Sequence, residues 1–304
     1  MKKEFGQRRD GAMAYLYTIK NEHITAVFSD HGAALINLYV PDAKGNVADV
    51  VLGFDTPDQY TDSTTYFGAP VGRNANRVGG ASFTMDDMTI RLDANDNGVN
   101  NLHSGFKPFK NRLWQVASHT ENAIAFTLHS PQGDQGFPGK ADIRVTYTLR
   151  GKALNIAYDA ICDRDTVFNF TNHSYFNLAG HEHPEKAMDQ LLTIPGRVFC
   201  PDDALNLQGG YDHNWEVASN PCATLTDPVS GRSMCVFTDC PGVQFYAGNY
   251  ITEQTGKGGV TYCKRSGICL ETQYFPNAVN NPEWDQPITL QGEHYHSETV
   301  YSFY

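Results

Sequence analysis

The chain has little charge, no long apolar run and none of the common metal or nucleophile motifs, and each shortage excludes a class of function. Charged residues make up 19% of the 304 positions, and 34 acidic against 23 basic side chains leave a formal net charge of −11 and a pI near 5.4. No cluster of Lys and Arg interleaved with aromatics appears, so nucleic acid is not an expected partner. No apolar stretch is long enough to span a bilayer, and no membrane association is expected. The N-terminal MKKEFGQRRDGAMAYLYTIKN is interrupted by Glu4, Arg8, Arg9 and Asp10 where a signal peptide would be continuously apolar. The cysteines, at 162, 200, 222, 235, 240, 263 and 269, are odd in number and form no CxxC pair. Neither a disulfide framework nor a zinc ribbon is indicated, and reduced thiols in a cytoplasmic protein are expected. His181 and His183 in GHEHPE, or His294 and His296 in GEHYHSE, lack a second ligand pair on a rigid element, so no metal site is expected. A G-x-S-x-G elbow is absent too.

Helical periodicity is also scarce; only EKAMDQLL, 185–192, has the pattern for a turn or two. What the chain does carry is 12% aromatics, 27 Gly and 15 Pro, with Tyr, Phe, Val and Thr set between turn residues. That balance favours strands. Turn signals recur at PDAKGN (41–46), DANDNG (93–98), SPQGDQGFPGK (130–140) and LRGK (149–152). Ile143, Val145, Tyr147 and Leu149 alternate with Asp142, Arg144, Thr146 and Thr148, a half-buried strand. ALNIAYDAI follows a tight RGK turn and completes a hairpin. With no linker-like stretch and no fixed-period repeat, the expectation is a single all-β domain over residues 1–304, a large antiparallel β-sandwich.

Three segments share an unusual design. In FNFTNHSYFNLAG, 168–180, Phe168, Phe170, Phe176 and Leu178 fall on one strand face. Asn169, Thr171, His173, Tyr175 and Asn177 fall on the other. GICLETQYF, 267–275, sets Ile268, Leu270 and Tyr274 against Cys269, Glu271 and Gln273. GVQFYAGNY, 242–250, sets Val243, Phe245 and Ala247 against Gln244, Tyr246 and Gly248. If these strands are neighbours, their polar faces merge into a sheltered surface of amides, imidazole, carboxylate and aromatic rings. Sugar hydroxyls both donate and accept, and need such mixed partners.

Loops add candidates. FGAPVGRNANRVGGASF, 67–83, holds Arg73 and Arg77 with few carboxylates nearby in sequence; NNLHSGFKPFKNRLW, 100–114, offers His103 in an exposed loop context; LQGGYDHNW, 207–215, presents Asp212 and His213. By residue type alone each has a second interpretation. His173 also fits a satisfied core histidine, Glu271 a structural ion pair, Arg73 and Arg77 ties for loop carbonyls, and Asp212 a turn residue. Pattern assigns none of them a catalytic role.

Taken in order, HGAALINLYVPD, DVVLGFDTPDQY, YFGAPVGRNANR, NNLHSGFKPFKNRLW, GFPGKADIRVTYTL, FNFTNHSYFNLAG, GGYDHNW, GVQFYAGNY and SGICLETQYFPNAVN resemble the aldose 1-epimerase (galactose mutarotase) family nearly end to end. The resemblance implies a β-sandwich of galactose mutarotase type, no cofactor, a free aldose as partner, and interconversion of its α and β anomers by a monomer or homodimer. It also implies residue roles: His173 as general acid, Glu271 as general base, and Asn76, Arg77, His103, Asp212 and Gln244 as the sugar-binding set. A carboxylate near about 4.3 and an imidazole near about 6.5 suit that exchange at neutral pH. A catalytically silent sugar binder, or a hexose-phosphate epimerase using Arg73 and Arg77, are the alternatives on the same fold. The sequence departs from the family pattern at LHSG for LHGG, at PNA for PDA around Asn277, and in a shortened 196–211 region that lacks a G-T-P-like segment.

Overall fold

Period-two alternation becomes antiparallel sheet wherever the connecting turns are short. The computed structural model describes residues 1–198 and 210–304. Ala141–Arg150 and Ala153–Cys162 pair over their full length, from Arg150 opposite Ala153 to Ala141 opposite Cys162. These are the two strands expected on either side of the RGK turn. They form the centre of an eight-stranded sheet, which runs in order Gln115–His119, Ala123–Ser130, Ala141–Arg150, Ala153–Cys162, His294–Phe303, Ser233–Thr238, Ala223–Thr226, Leu191–Thr193. A five-stranded meander, Lys2–Gln7 through Val47–Asp49, and an inner three-stranded sheet, Asp212–Glu216, Gly242–Tyr246 and Cys269–Gln273, lie against it. The architecture is the expected all-β antiparallel sandwich.

The apolar faces meet in one core that draws on all three sheets. Phe28 packs on Tyr147 with ring centroids 4.3 Å apart, and Phe176 on Tyr301 at 4.9 Å. Polar tips at the layer boundary find backbone acceptors: Tyr147 Oη donates to Ala33 O at 2.9 Å and Tyr301 Oη to Leu270 O at 3.0 Å. The second bond ties the inner sheet to the C-terminal strand one residue from Glu271. Helix is short among the described residues. Pro57–Asp62 is α-helical, started by Thr56, whose side chain accepts from Gln59 N–H, and by Pro57 at the first turn. The turn expected over 185–192 is a 3-10 turn, Pro184–Asp189.

The 168–180 segment corrects the strand reading. Only Thr171–Asn172 forms regular ladder, opposite Pro70–Val71. The asparagines explain why: their side chains take the hydrogen bonds that a ladder would supply. Asn169 Oδ1 accepts from Tyr274 N at 2.9 Å, Asn172 Nδ2 donates to Gly68 O at 3.0 Å, and Asn177 Nδ2 donates to His183 O at 2.8 Å. The sidedness nevertheless holds for the phenylalanines, since Phe168, Phe170, Phe176 and Leu178 all enter the core.

Arg73 is fully buried. Its guanidinium donates to the carbonyls of Pro138 (2.7 Å), Gly139 (2.9 Å), Ser130 (3.0 Å) and Pro131 (3.2 Å), and to Ser130 Oγ (2.9 Å). It ties loop carbonyls together and is not a candidate for holding a phosphate. Arg73→Ala leaves several buried carbonyls without donors, and is expected to lower unfolding free energy by about 3–5 kcal/mol in urea titration. A loss below about 1 kcal/mol would contradict this account.

Candidate active site

Register decides which polar side chains meet. In the inner sheet Asp212 lies opposite Tyr246 and Tyr246 opposite Cys269; two rows on, Asn214 lies opposite Gln244 and Gln244 opposite Glu271. Side chains of one row, and of the row two residues on, share a face, so Asp212, Gln244 and Glu271 project to the same side although 59 residues separate the first from the last. The irregular 168–180 chain runs alongside, held by pairing of Phe176 with Ile268, and sets His173 against that face. Two loops close the other side. Asn76 and Arg77 arrive from one and His103 from the other, joined by Asn101–Leu102 pairing with Arg77–Val78.

All seven expected residues, Asn76, Arg77, His103, His173, Asp212, Gln244 and Glu271, line one cavity of about 190 Å³. His173 Nε2 stands 3.6 Å from Glu271 Oε1. Gln244 Nε2 donates to Asp212 Oδ1 at 2.8 Å. Two buried atoms of its lining have no protein partner, Glu271 Oε2 and Gln244 Oε1. Buried polar atoms are ordinarily satisfied, so these two leave hydrogen-bonding capacity open toward the cavity. Of the polar face in 168–180, only His173 and Tyr175 reach the cavity; the asparagines are spent on the backbone.

Two expectations about the loops need correction. His103 is buried, 7% exposed, and its left-handed backbone (φ 50°) turns the ring inward. Arg77 does have a carboxylate partner, Asp96, with Nε to Oδ2 at 2.9 Å. Asp96 comes from the DANDNG turn, 19 residues away, where sequence proximity gives no hint of pairing.

Aromatic rings complete the walls: Tyr175 and Tyr246, expected on the polar faces, and Tyr66, which the residue pattern does not single out. The His173 imidazole is sandwiched between Tyr175 (5.0 Å, 17°) and Tyr66 (5.6 Å, 20°), with Tyr246 edge-on at 6.2 Å. Tyr66 opens the YFGAPVGRNANR segment, whose candidates are its arginines and Asn76. A tyrosine in a β-rich chain fits a core position equally well.

Burial dominates the electrostatics. It pushes the Glu271 carboxyl well above its ordinary 4.5, with the nearby Asp212 charge adding to the rise and the Arg77 guanidinium opposing it. It lowers the His173 imidazole from 6.5 to about 3, and moves His103 down as well. The expectation of a carboxylate at its ordinary value is therefore overturned. Both partners favour their neutral forms, because a charge in this space loses most of its hydration.

His103, His173 and Glu271 bring ligand atoms within 4.8 Å of one another, a donor set that elsewhere holds zinc. Here the tautomer does not fit. His103 Nδ1 accepts the Asn76 backbone N–H at 3.2 Å, so the ring proton sits on Nε2, where a metal needs a lone pair. A larger groove of about 700 Å³ lies over the buried Lys257–Asp49 pair. Lys257 Nζ spends its three hydrogens on Asp49 Oδ2 (2.5 Å), Ile36 O (2.7 Å) and Val51 O (2.8 Å), leaving none for a ligand.

The departures in sequence fall on supports of the site. Asn277 accepts the Gly79 N–H on Oδ1 at 2.8 Å, and its own N–H bonds Arg77 O at 2.8 Å. An amide oxygen thus holds the Arg77 turn as a carboxylate would. Ser104 occupies a left-handed position (φ 67°) that favours glycine, and its hydroxyl donates to Asn74 O at 3.0 Å while accepting Asn74 N–H at 2.8 Å. Most of the shortened 196–211 region lies outside the described residues, and so does Cys200.

Comparison with known proteins places these observations. A family model described as aldose 1-epimerase matches residues 15–302. Galactose mutarotase of Bos taurus is 36% identical over 321 residues, covering 94% of this chain and 93% of that protein. Aldose 1-epimerase of Haemophilus influenzae is 36% identical, with 97% of each covered. Among solved structures, an aldose epimerase homologue from C. elegans superimposes with a TM-score of 0.86 at 27% identity, covering 96% of this chain and 99% of that one.

Ser104 offers a direct test of the loop argument. Ser104→Ala keeps the left-handed strain and loses both hydrogen bonds, whereas Ser104→Gly loses the bonds but relieves the strain. Thermal or urea unfolding is expected to rank the glycine variant above the alanine variant by about 1 kcal/mol; the reverse order would contradict the assignment.

Proposed function

The chain belongs to the aldose 1-epimerase family and is an isomerase, and from that premise we propose that it interconverts the α and β anomers of a free hexose such as galactose or glucose, with Glu271 as general base and His173 as general acid. The observation that carries the reading is the buried His173–Glu271 pair, 3.6 Å apart across one wall of a cavity. Anomer exchange requires the C1 hydroxyl to lose a proton and ring oxygen O5 to gain one. The ring opens to the aldehyde, the C1–C2 bond rotates, and closure on the other carbonyl face returns both protons.

The pair needs one exchangeable proton for this. In the ion-pair form, Glu271 carboxylate takes the C1 proton and His173 imidazolium gives its Nε2 proton to O5. Opening leaves a carboxylic acid and a neutral imidazole, and closure reverses the transfer. Both forms contain the same proton, and every turnover visits both. Burial favours the neutral form and so makes Glu271 a stronger base and His173 a stronger acid when the ion-pair form is reached. Arg77 and the Nε2–H of His103 are the donors placed to hold sugar oxygens and to stabilise charge developing at O5. Asn76, Asp212 and Gln244 complete the hydroxyl partners.

We also propose that residues 1–304 act as one domain, since the core runs from Tyr17 to Phe303, and that the protein works in the cytoplasm, where the six cysteines of the described residues keep their unpaired thiols.

Polarimetry of freshly dissolved α-galactose and α-glucose tests the assignment. The wild-type protein is expected to accelerate mutarotation, and His173→Ala or Glu271→Gln to lower kcat by about 10²–10⁴-fold each. No acceleration with either sugar would leave a sugar-binding protein; near-normal rates in both variants would remove the pair from the mechanism. The pH profile follows from the shifts. His173, lowered to about 3, stays neutral well below pH 6.5, and Glu271, raised well above 4.5, keeps its proton to higher pH. The one-proton state is widened at both ends. Accordingly kcat/KM is expected to show no inflection at 6.5 and to fall on the alkaline side when Glu271 loses its proton; a limb at 6.5 that vanishes in a His173 variant would refute this.

A further inference from the structure

Among the described residues, the side chain behind the imidazole is a cysteine the mechanism has not used. Cys269 Sγ lies 3.4 Å from His173 Nδ1, and both residues are buried. Cys269 and Glu271 stand two residues apart on the Cys269–Gln273 strand, on the same face. One contacts Nδ1 and the other faces Nε2, so a single strand brackets both nitrogens of a ring carried by another segment. The stacking of Tyr66 and Tyr175 on the two ring faces blocks a flip of the imidazole, which leaves tautomer as the freedom still to be settled.

We propose that Cys269 is a positioning residue for the epimerase reaction: its sulfur accepts the Nδ1–H of His173 and so fixes the tautomer in which Nε2 is the nitrogen that exchanges a proton with the sugar. The inference rests on the proposed role of His173. If Nδ1 gave up its proton instead, the neutral ring would carry hydrogen on Nε2 and could not take one there. A hydrogen bond from Nδ1–H to sulfur penalises that tautomer.

A thiol suits the position better than a carboxylate. A carboxylate behind the ring would stabilise the imidazolium, raise the affinity of His173 for its proton, and make it a weaker acid toward O5. Burial and the nearby Glu271 and Asp212 charges push the Cys269 thiol well above its ordinary value, so the group is a neutral thiol, not a thiolate, and its sulfur lone pairs are free to accept the ring N–H.

The test reads the tautomer directly. Long-range ¹H–¹⁵N spectra of histidine-labelled protein, with His173 assigned by the signals lost in His173→Gln, report which ring nitrogen carries hydrogen. Wild type is expected to show Nδ1–H, Cys269→Ala a mixture of tautomers, and Cys269→Ser a return to Nδ1–H. In parallel, Cys269→Ala is expected to lower kcat about tenfold with KM nearly unchanged, the loss of one hydrogen bond, and Cys269→Ser to recover most of it. An Nε2–H tautomer in the wild type, or an unchanged tautomer in Cys269→Ala, overturns the proposal. Normal turnover in His173→Ala would overturn the function of His173 instead, and the spectra would still report on the sulfur bond.

Discussion

Charging His173 or Glu271 alone would place an ion in a space nearly closed to water, and that cost shapes everything around the cavity. An uncompensated buried charge costs several kcal/mol, and burial accordingly shifts Glu271 up and His173 down. The neighbouring cations are arranged so as not to upset this balance. Arg77 biases Glu271 downward but is tied to Asp96, so its guanidinium is shared with a second carboxylate. Lys110, whose charge lowers His173, is anchored on Tyr60 O and Ser63 O. Each charge therefore acts at a distance that the backbone sets.

The backbone sets those distances at some cost. Asn76, His103, Ser104 and Asn277 all occupy the left-handed region, where a non-glycine residue costs about 1–2 kcal/mol. A glycine would avoid the strain, yet each of these side chains accepts a backbone N–H: Asn76 from Arg77, His103 from Asn76, Ser104 from Asn74, and Asn277 from Gly79. The strain is offset by bonds that glycine cannot make, and the bonds join the loops to one another. Strain collected at a site and compensated locally is a way to hold side chains to a narrow geometry.

This arrangement also explains how much could be read beforehand. Alternation in 141–162 translated directly into a hairpin, because both strands have core on one face and water on the other. The inner strands were legible in the same way, and their register then placed Gln244 beside Glu271. In 168–180 the facing of the phenylalanines survived while the strand did not, since asparagine side chains compete with the ladder and a hydrophobicity pattern is blind to that. Arg77–Asp96, the burial of His103 and the tyrosine sandwich were out of reach for a different reason. They are contacts between loops, and their residue types are as common in turns and cores as in sites. The His173 and Glu271 assignments came from resemblance. Residue pattern alone brought them to one surface and assigned no chemistry.

The two cavities make the physical distinction plain. The groove over Lys257 and Asp49 is the larger and contains a buried cation and anion, features that would draw attention in any search for a site. Yet every hydrogen of the Lys257 ammonium is given to an acceptor of the protein. Asp49 likewise receives Leu38 N–H and the Asn37 amide besides the lysine. Nothing in that network gains from a visitor, and admitting one would mean breaking bonds already made. In the smaller cavity the bookkeeping is unfinished: Glu271 Oε2 and Gln244 Oε1 are buried without donors, and the penalty for leaving them so is relieved when hydroxyl groups enter. By cavity size and buried charge alone the Lys257 groove would be the stronger candidate. Among the described residues, unmade hydrogen bonds held open by the sheet register are what the smaller cavity has and the larger groove lacks.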